Sequence, residues 1–393
     1  MRILHVIGGL NRGGIETWLM HVLRAIDRDR FAFDFLVHAT APCPYDDEAR
    51  ELGARVLPCP SHLSPRSHAR DFRRLLRKNG RYHAVHSHVH HFSGMVLRRA
   101  EIEGVPVRVA HSHNDTSTID SAAGPFRHAY RRLMRRWIGR HATHGLAASR
   151  RAAASLFGAH WESDPRWRLL LYGLDLSPFR EAPDRERVRR ELGLPSRAFV
   201  VGHVGRFVHQ KNHAFVVEVF REVARREPSA HLLLVGVGEL RGAVERQVSL
   251  AGLSERVVFA GPRPDVPRLM AGAMDAFLFP SRFEGLGLVL VEAQAAGLPC
   301  ITSREVPEEA DVIAPLLRRL ALDQPAQDWA EAVLDSRDRR TAPDRSSALA
   351  EVEASRFALR HCVEALERFY TSSHSQSDLN APAGLAPVGG MAR

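Results

Sequence analysis

Cysteine is scarce in this chain. Its four cysteines (Cys43, Cys59, Cys300, Cys362) are scattered over 393 residues without metal-ligand spacing, which excludes a disulfide framework and a zinc knot. A reducing compartment is the simplest setting, and a cytoplasmic location is expected. No apolar run approaches the roughly 18 residues needed to cross a bilayer. The opening Met1-Arg2-Ile3-Leu4-His5-Val6-Ile7-Gly8-Gly9 has one basic residue and a short apolar stretch before its glycines. It lacks the h-region of a signal peptide and reads as a buried first strand. Acid is in short supply: 45 Asp and Glu face 55 Lys and Arg, for a formal charge of +10.

Such an excess calls for a partner. Its strongest concentration lies at residues 127–141, where Tyr130, Leu133, Met134, Trp137 and Ile138 recur at helical spacing. Arg131, Arg132, Arg135, Arg136 and Arg140 fill positions between them with no intervening acid. This basic amphipathic helix fits a solvated face over a core stripe, or an anionic membrane surface that would make the protein peripheral on the inner face of the plasma membrane. No nucleic-acid module accompanies it, so nucleic acid is not an expected partner.

What the chain has in quantity is alternation. Hydrophobic residues make up 45% and charged residues 25% of it, the mix of a globular protein. Strand-like runs at Arg2–Ile7, Phe33–Val37, Ala54–Leu57, Ala84–Ser87, Val107–His111 and Gly145–Ala148 alternate with helical stretches, among them one near Glu16–Ile26. The pattern restarts at Phe199–Val204, His231–Val235, Val257–Ala260, Ala276–Phe279 and Pro299–Thr302. The expected fold is α/β, with two doubly wound Rossmann-like domains facing a cleft. The expected boundaries are 1–170 for the first domain and 171–353 for the second. A crossover helix at 354–370 packs back on the first domain, and 371–393 is a disordered tail rich in Ser, Ala, Gly and Pro.

Open α/β sheets bind ligands at the carboxyl ends of their strands. The run Phe199–Val204 leads into Gly205-Arg206-Phe207-Val208-His209-Gln210-Lys211-Asn212, then a helix. Two cations at a strand end beside free helix amides suit a polyanion such as a diphosphate. The next strand ends in Gly236-Val237-Gly238, fitting either a tight turn or close approach of a ligand to backbone. After Val257–Ala260 comes Gly261-Pro262-Arg263-Pro264-Asp265, a turn placed to meet a base edge, with Asp265 as the next helix's N-cap. The strongest segment is PSRFEGLGLVLVEAQAAGLP at 280–299. A Gly-containing turn presents Glu284, and a helix starting near Leu286 carries Glu292 on an otherwise apolar face. A sheltered acid needs hydrogen-bond donors, and a vicinal diol offers two. Amides near Gly285, Leu286, Gly287 and Leu288 are placed to receive phosphate oxygens.

Those two acids eight positions apart, with GRFVHQKN, VGVGE and the opening GGLNRGGIE, resemble the retaining glycosyltransferases of family 4, which have the GT-B fold. The resemblance covers about residues 1–370. HSHVHHFSG and RVAHSHND are similar to members that build bacterial exopolysaccharide, capsule or related surface glycans. The resemblance implies transfer of a hexose-type sugar from a nucleotide-diphosphate sugar, UDP-linked by preference, to a glycan or lipid-linked acceptor, with retention and without a metal or other cofactor. Arg206 and Lys211 would bind the diphosphate, Glu292 the ribose, and Glu284 the donor sugar. Gly13 and Gly14 would close over the diphosphate from the first domain. Gly236, Arg263 and the 285–288 turn would complete the nucleotide site. His113 would be the catalytic-site histidine, with His111 its rival.

The same histidines, with His86, His88, His90 and His91, offer imidazoles at alternate positions of two strand ends. A metal hydrolase built on them is a rival reading, and the absence of a carboxylate-rich partner segment weighs against a metal. A nucleotide-sugar 2-epimerase of the same fold is the alternative enzyme, and a nucleotide-binding scaffold without turnover the third rival.

Overall fold

The computed structural model describes residues 1–60, 64–116, 124–337 and 343–379. Seven parallel strands build the first sheet in the order β3-β2-β1-β4-β5-β6-β7. They are β1 Arg2–Ile7, β2 Ala32–Val37, β3 Arg55–Pro58, β4 Ala84–Ser87, β5 Val107–Ser112, β6 His144–Ala147 and β7 Trp167–Leu169. Six more form the second in the order β10-β9-β8-β11-β12-β13: β8 Phe199–Val204, β9 Ala230–Val235, β10 Val257–Gly261, β11 Ala276–Phe279, β12 Cys300–Ser303 and β13 Leu317–Leu320. Strands such as β11, Ala-Phe-Leu-Phe, are buried on both faces, as parallel strands covered by helices on each side must be. In both sheets the chain reverses its direction of winding beside the first strand, at β1/β4 and β8/β11. A crevice opens there at the strands' carboxyl ends.

The two doubly wound domains match the fold expected from the sequence. The outer strands β7 and β13 were not anticipated. Their sequences, Trp-Arg-Leu and Leu-Arg-Arg-Leu, lack the apolar run that marks a central strand. The helix carrying Glu292 begins at Leu288 rather than near Leu286, because Gly287 takes φ 87° at its N-cap and holds the preceding residues in a turn.

The final helix, Leu359–Leu379, is distinct from the Arg345–Ala354 helix before it. It starts five residues later than the expected 354 and continues past Tyr370 into the segment read as tail. Residues 380–393 lie outside the described residues. This helix lies on the first domain. Trp18 Nε1 donates to Cys362 Sγ at 3.3 Å, the Tyr370 hydroxyl meets His86 Nδ1 at 2.7 Å, and the Asp27 amide donates to Glu367 at 3.1 Å. The chain enters it through a parallel bridge between Leu174 and Ala358. One apolar core accordingly runs from Ile3 and Trp18 through Tyr172 and Phe179 to Phe277 and Leu290, and out to Leu366 and Tyr370. Each large apolar side chain in it stabilises the fold by about 1.5–3 kcal/mol.

Candidate active site

Lys211 and Glu284 meet directly. The ammonium sits 2.6 Å from Glu284 Oε1, and Gln210 Nε2 donates to Oε2 at 3.1 Å. Glu284 is buried, and an ionised carboxylate survives burial only with such donors. The pair is assembled by two turns that hold each other. Asn212, at φ 57°, opens the His213–Arg226 helix and donates to the Pro280 carbonyl at 3.2 Å. It accepts from Arg282 at 3.0 Å, and the Arg282 amide donates to the Gln210 carbonyl at 2.8 Å. The cation turn after β8 and the acid turn after β11 are therefore one structure.

Glu292 stands apart from this network. Among the described residues its carboxylate accepts no hydrogen bond. Desolvation pushes it up to about 7, with the Lys211 charge pulling weakly the other way. An acid left without donors inside the Leu288–Ala295 helix is poised for a ligand's hydroxyls. Arg206 is exposed, and its guanidinium likewise makes no hydrogen bond among the described residues. Lys211 thus touches Glu284 and lies within electrostatic reach of Glu292, while Arg206 on the same turn lies within reach of Glu16.

The glycines divide by purpose. A Cβ on Gly236 would overlap the Gly205 carbonyl, and one on Gly238 would overlap Phe207 backbone. The Gly-Val-Gly turn therefore packs against the arginine turn, and the bareness of Gly236 is taken up by protein backbone. Arg263, expected among the nucleotide-binding residues, lies in the turn after β10. Its guanidinium is forked onto Asp265 at 2.7 and 2.8 Å. Asp265 in turn makes no side-chain cap to its helix, because the two arginines at 263 and 268 occupy its oxygens.

The first domain contributes from across the cleft. Gly13 is the N-cap of the Gly14–Ala25 helix, and the slot left by its missing side chain is filled by the carboxylate of Glu16. Burial raises the Glu16 carboxyl, and its own backbone N–H and the charge of Arg206 in the second domain hold it down. Gly14 has open space around it. At the end of β5, His113 touches the acid turn itself: a Cβ on Gly285 would overlap the His113 carbonyl oxygen and press on Asn114 Oδ1. The His113 ring points elsewhere. It is buried, with Nε2 at 2.8 Å from His88 Nδ1 and Nδ1 bonded to the Tyr172 hydroxyl. His111 is fully buried and bonds His86 at 3.0 Å. What the structure brings to the crevice from residue 113 is its carbonyl, next to Gly285, while both imidazoles face into the domain.

Gln210, Asn212 and Glu16 were not singled out from the sequence as parts of the site. Gln210 and Asn212 lie within the cation segment but carry no charge to draw attention. Glu16 sits three residues after Gly13, the spacing of an acid that reaches back to a helix N-cap, and that spacing was the available signal.

The basic helix, Pro125–His141, buries Met134 and Ile138 but leaves Tyr130 and Leu133 at 43% exposure and Phe126 at 91%. Two of the five residues of the apolar stripe expected beneath it, Tyr130 and Leu133, are therefore exposed, as are Arg132, Arg135, Arg136 and Arg140. No described helix is long and apolar enough to cross a membrane.

Two family descriptions match this chain: Glycosyl transferases group 1 over residues 184–345 and Glycosyl transferase 4-like domain over residues 13–173. EpsF of Bacillus subtilis strain 168, a glycosyltransferase by name, is 38% identical over 84% of this chain and 86% of its own length. The D-inositol 3-phosphate glycosyltransferase of Corynebacterium jeikeium strain K411 is 29% identical over 91% of each. In fold, the chain resembles Anabaena HepE solved with UDP and glucose, at TM-score 0.78 and 20% identity over 95% of this chain and 100% of that one.

Proposed function

This chain belongs to the group 1 glycosyl transferases and has the GT-B fold, and on that premise we propose that it transfers a hexose from a UDP-sugar, with retention, to a glycan or lipid-linked acceptor in surface polysaccharide synthesis. The observation that carries this reading is Glu292, a sheltered carboxylate without a protein donor that feels the charge of Lys211, on the turn that also bears Arg206. A ribose diol and a diphosphate supply what those groups lack. The HepE structure, solved with UDP and glucose, supports uridine and a hexose as the donor class. The surface-glycan assignment rests on the two histidine segments.

In this reading Arg206 and Lys211 stabilise the departing diphosphate, aided by amides at Gly287 and Leu288. Such preorganised charge is worth several kcal/mol of barrier, about 3–4 for a single donor in measured cases. These cations do the work a divalent ion does elsewhere, so the transfer is read as metal-independent. Lys211 turns from Glu284 toward the phosphates as the donor enters, leaving Glu284 to accept from sugar hydroxyls. Gly13 and Gly14 allow the first domain's loop to approach the diphosphate. His113 acts through its carbonyl at the sugar's reacting face, beside Gly285. The acceptor attacks on the face from which the nucleotide leaves, and no side chain stands as a separate nucleophile.

A donor panel scored by slow hydrolysis, with the product anomer read by NMR, tests the reaction. A retained anomer transferred to an acceptor is expected, whereas an acceptor-independent change of donor stereochemistry would indicate the epimerase. Glu292→Ala is expected to weaken UDP binding at least tenfold with its circular dichroism unchanged. Unaltered UDP, GDP and ADP affinity would refute the ribose assignment.

A further inference from the structure

Behind the crevice, on the face of the first sheet covered by Trp18, Tyr172 and Tyr370, five imidazoles are packed together with no acid among them. His5 on β1, His86 on β4, His88 just beyond it, His111 on β5 and His113 just beyond that are all buried. The register β1/β4 sets His5 directly beside His86. Ring centroids lie 4.2–5.4 Å apart along the cluster. One nitrogen each of His88, His111 and His113 falls within 4.8 Å of the others.

The hydrogen bonds around these three rings have a definite pattern. His88 Nε2 is held by His5 Nδ1 at 2.9 Å, His111 Nδ1 by His86 Nε2 at 3.0 Å, and His113 Nδ1 by the Tyr172 hydroxyl. Every ring is thus gripped through one nitrogen, leaving His88 Nδ1, His111 Nε2 and His113 Nε2. Of those, His111 Nε2 is buried without any partner, and the other two face each other at 2.8 Å. We infer that His88 Nδ1, His111 Nε2 and His113 Nε2 form a binding site for a divalent transition cation, zinc by ligand type, with His5, His86 and Tyr172 orienting the three rings.

The proton count agrees. If each of the three rings carries its hydrogen on the gripped nitrogen, His88 donates to His5, His111 to His86 and His113 to Tyr172. His86 then donates from Nδ1 to Tyr370 Oη, all five imidazoles are neutral, and three lone pairs converge. Metal-bound histidines are typically held in this way through their other nitrogen. Without a cation, two of those lone pairs would oppose each other across 2.8 Å, and one ring must reverse its tautomer. Zinc–nitrogen bonds of about 2.0–2.1 Å in a tetrahedron place ligand nitrogens about 3.4 Å apart, so the opening required at His88 and His113 is about half an ångström. A water at the fourth position ionises near neutrality on zinc, which reduces the buried charge. The site lies behind the His113 carbonyl and does not touch the diphosphate residues, so it fixes the ends of β4 and β5 and takes no part in the transfer proposed above.

The test uses the full-length protein made without a polyhistidine tag. Elemental analysis after exposure to zinc and desalting is expected to give about one zinc per chain, and cobalt substitution the visible absorption of a tetrahedral nitrogen site. Chelator is expected to lower the melting temperature by several degrees. His88→Gln and His111→Gln, checked for folding by circular dichroism, are expected to lose the metal, while the exposed His128→Gln retains it. Folded wild-type protein that holds neither zinc nor cobalt would overturn the site, as would full zinc retention in folded His88→Gln and His111→Gln.

Discussion

Glu292 occupies a place that costs the free protein stability. Its carboxyl is raised from an ordinary 4.5 to about 7 by burial, so the folded state binds its proton more tightly than the unfolded chain does. The stabilisation from that proton is complete below 4.5 and is lost as pH rises through about 7. Glu292→Gln, which imitates the protonated form, is therefore expected to be more stable than the parent above pH 7, by up to about 3 kcal/mol. The difference should vanish near pH 4, as denaturant titrations at the two pH values would show. Nucleotide binding has the opposite dependence in the proposed reading, because the diol donates to the ionised form. UDP affinity in the parent should fall as pH drops below about 7, and in Glu292→Gln it should be weak and flat. A parent and variant with parallel pH profiles would separate Glu292 from the ligand. This residue was legible in the sequence because an acid inside Leu-Val-Leu-Val-Glu-Ala has few bland explanations. What the sequence does not show is that Asp265, two residues on, accepts from both arms of the Arg263 guanidinium.

Among the elements, the central strands were readable and the outer ones were not. Runs such as Phe199–Val204 announce themselves by two-sided burial, whereas β7 and β13 are short, carry arginines and are set by pairing with a neighbour already in place. Turns were readable in composition but not in contact. The glycine at 285 was expected to bare an amide for phosphate, and its missing side chain also admits the His113 carbonyl from the other domain. Gly285→Ala should hold the two turns apart and lower kcat at least tenfold while leaving the affinity for UDP alone within about threefold, since a displacement near 1 Å is enough for losses of that order. A variant with unchanged kcat would show that the contact is dispensable. The Pro125–His141 helix presents Phe126, Tyr130 and Leu133 outward, an arrangement favouring an anionic bilayer over a merely solvated face. Charge reversal at Arg132 and Arg136 is expected to reduce co-sedimentation with anionic vesicles several-fold. Equal sedimentation would return this helix to the solvated class.

On the scale of the whole chain, the largest apolar cluster runs through both domains, beside a smaller one within each. The final helix is the main reason, and its docking on the first domain was foreseen, although neither of its ends was. Its start depends on the bridge from Leu174 to Ala358, a pairing across most of a domain that no local pattern records. Leu366, buried to 1%, lies far along the chain from β1 yet within the core beside it. Leu366→Ala should cost about 2–5 kcal/mol, and hydrogen exchange should quicken in β1, β4 and β5 more than in β9 and β10. Faster exchange confined to the second sheet would contradict the shared core.

That docking also orders events during synthesis. The face of the first domain bearing Trp18, Tyr172 and the imidazole cluster is closed by residues 359 onward, which leave the ribosome long after β1. At about 5–20 residues per second, the nascent first domain carries an uncovered aromatic face for tens of seconds. Its last side of the core is completed only when the remainder of the chain has been made, which places the first domain among the last parts of the molecule to finish folding.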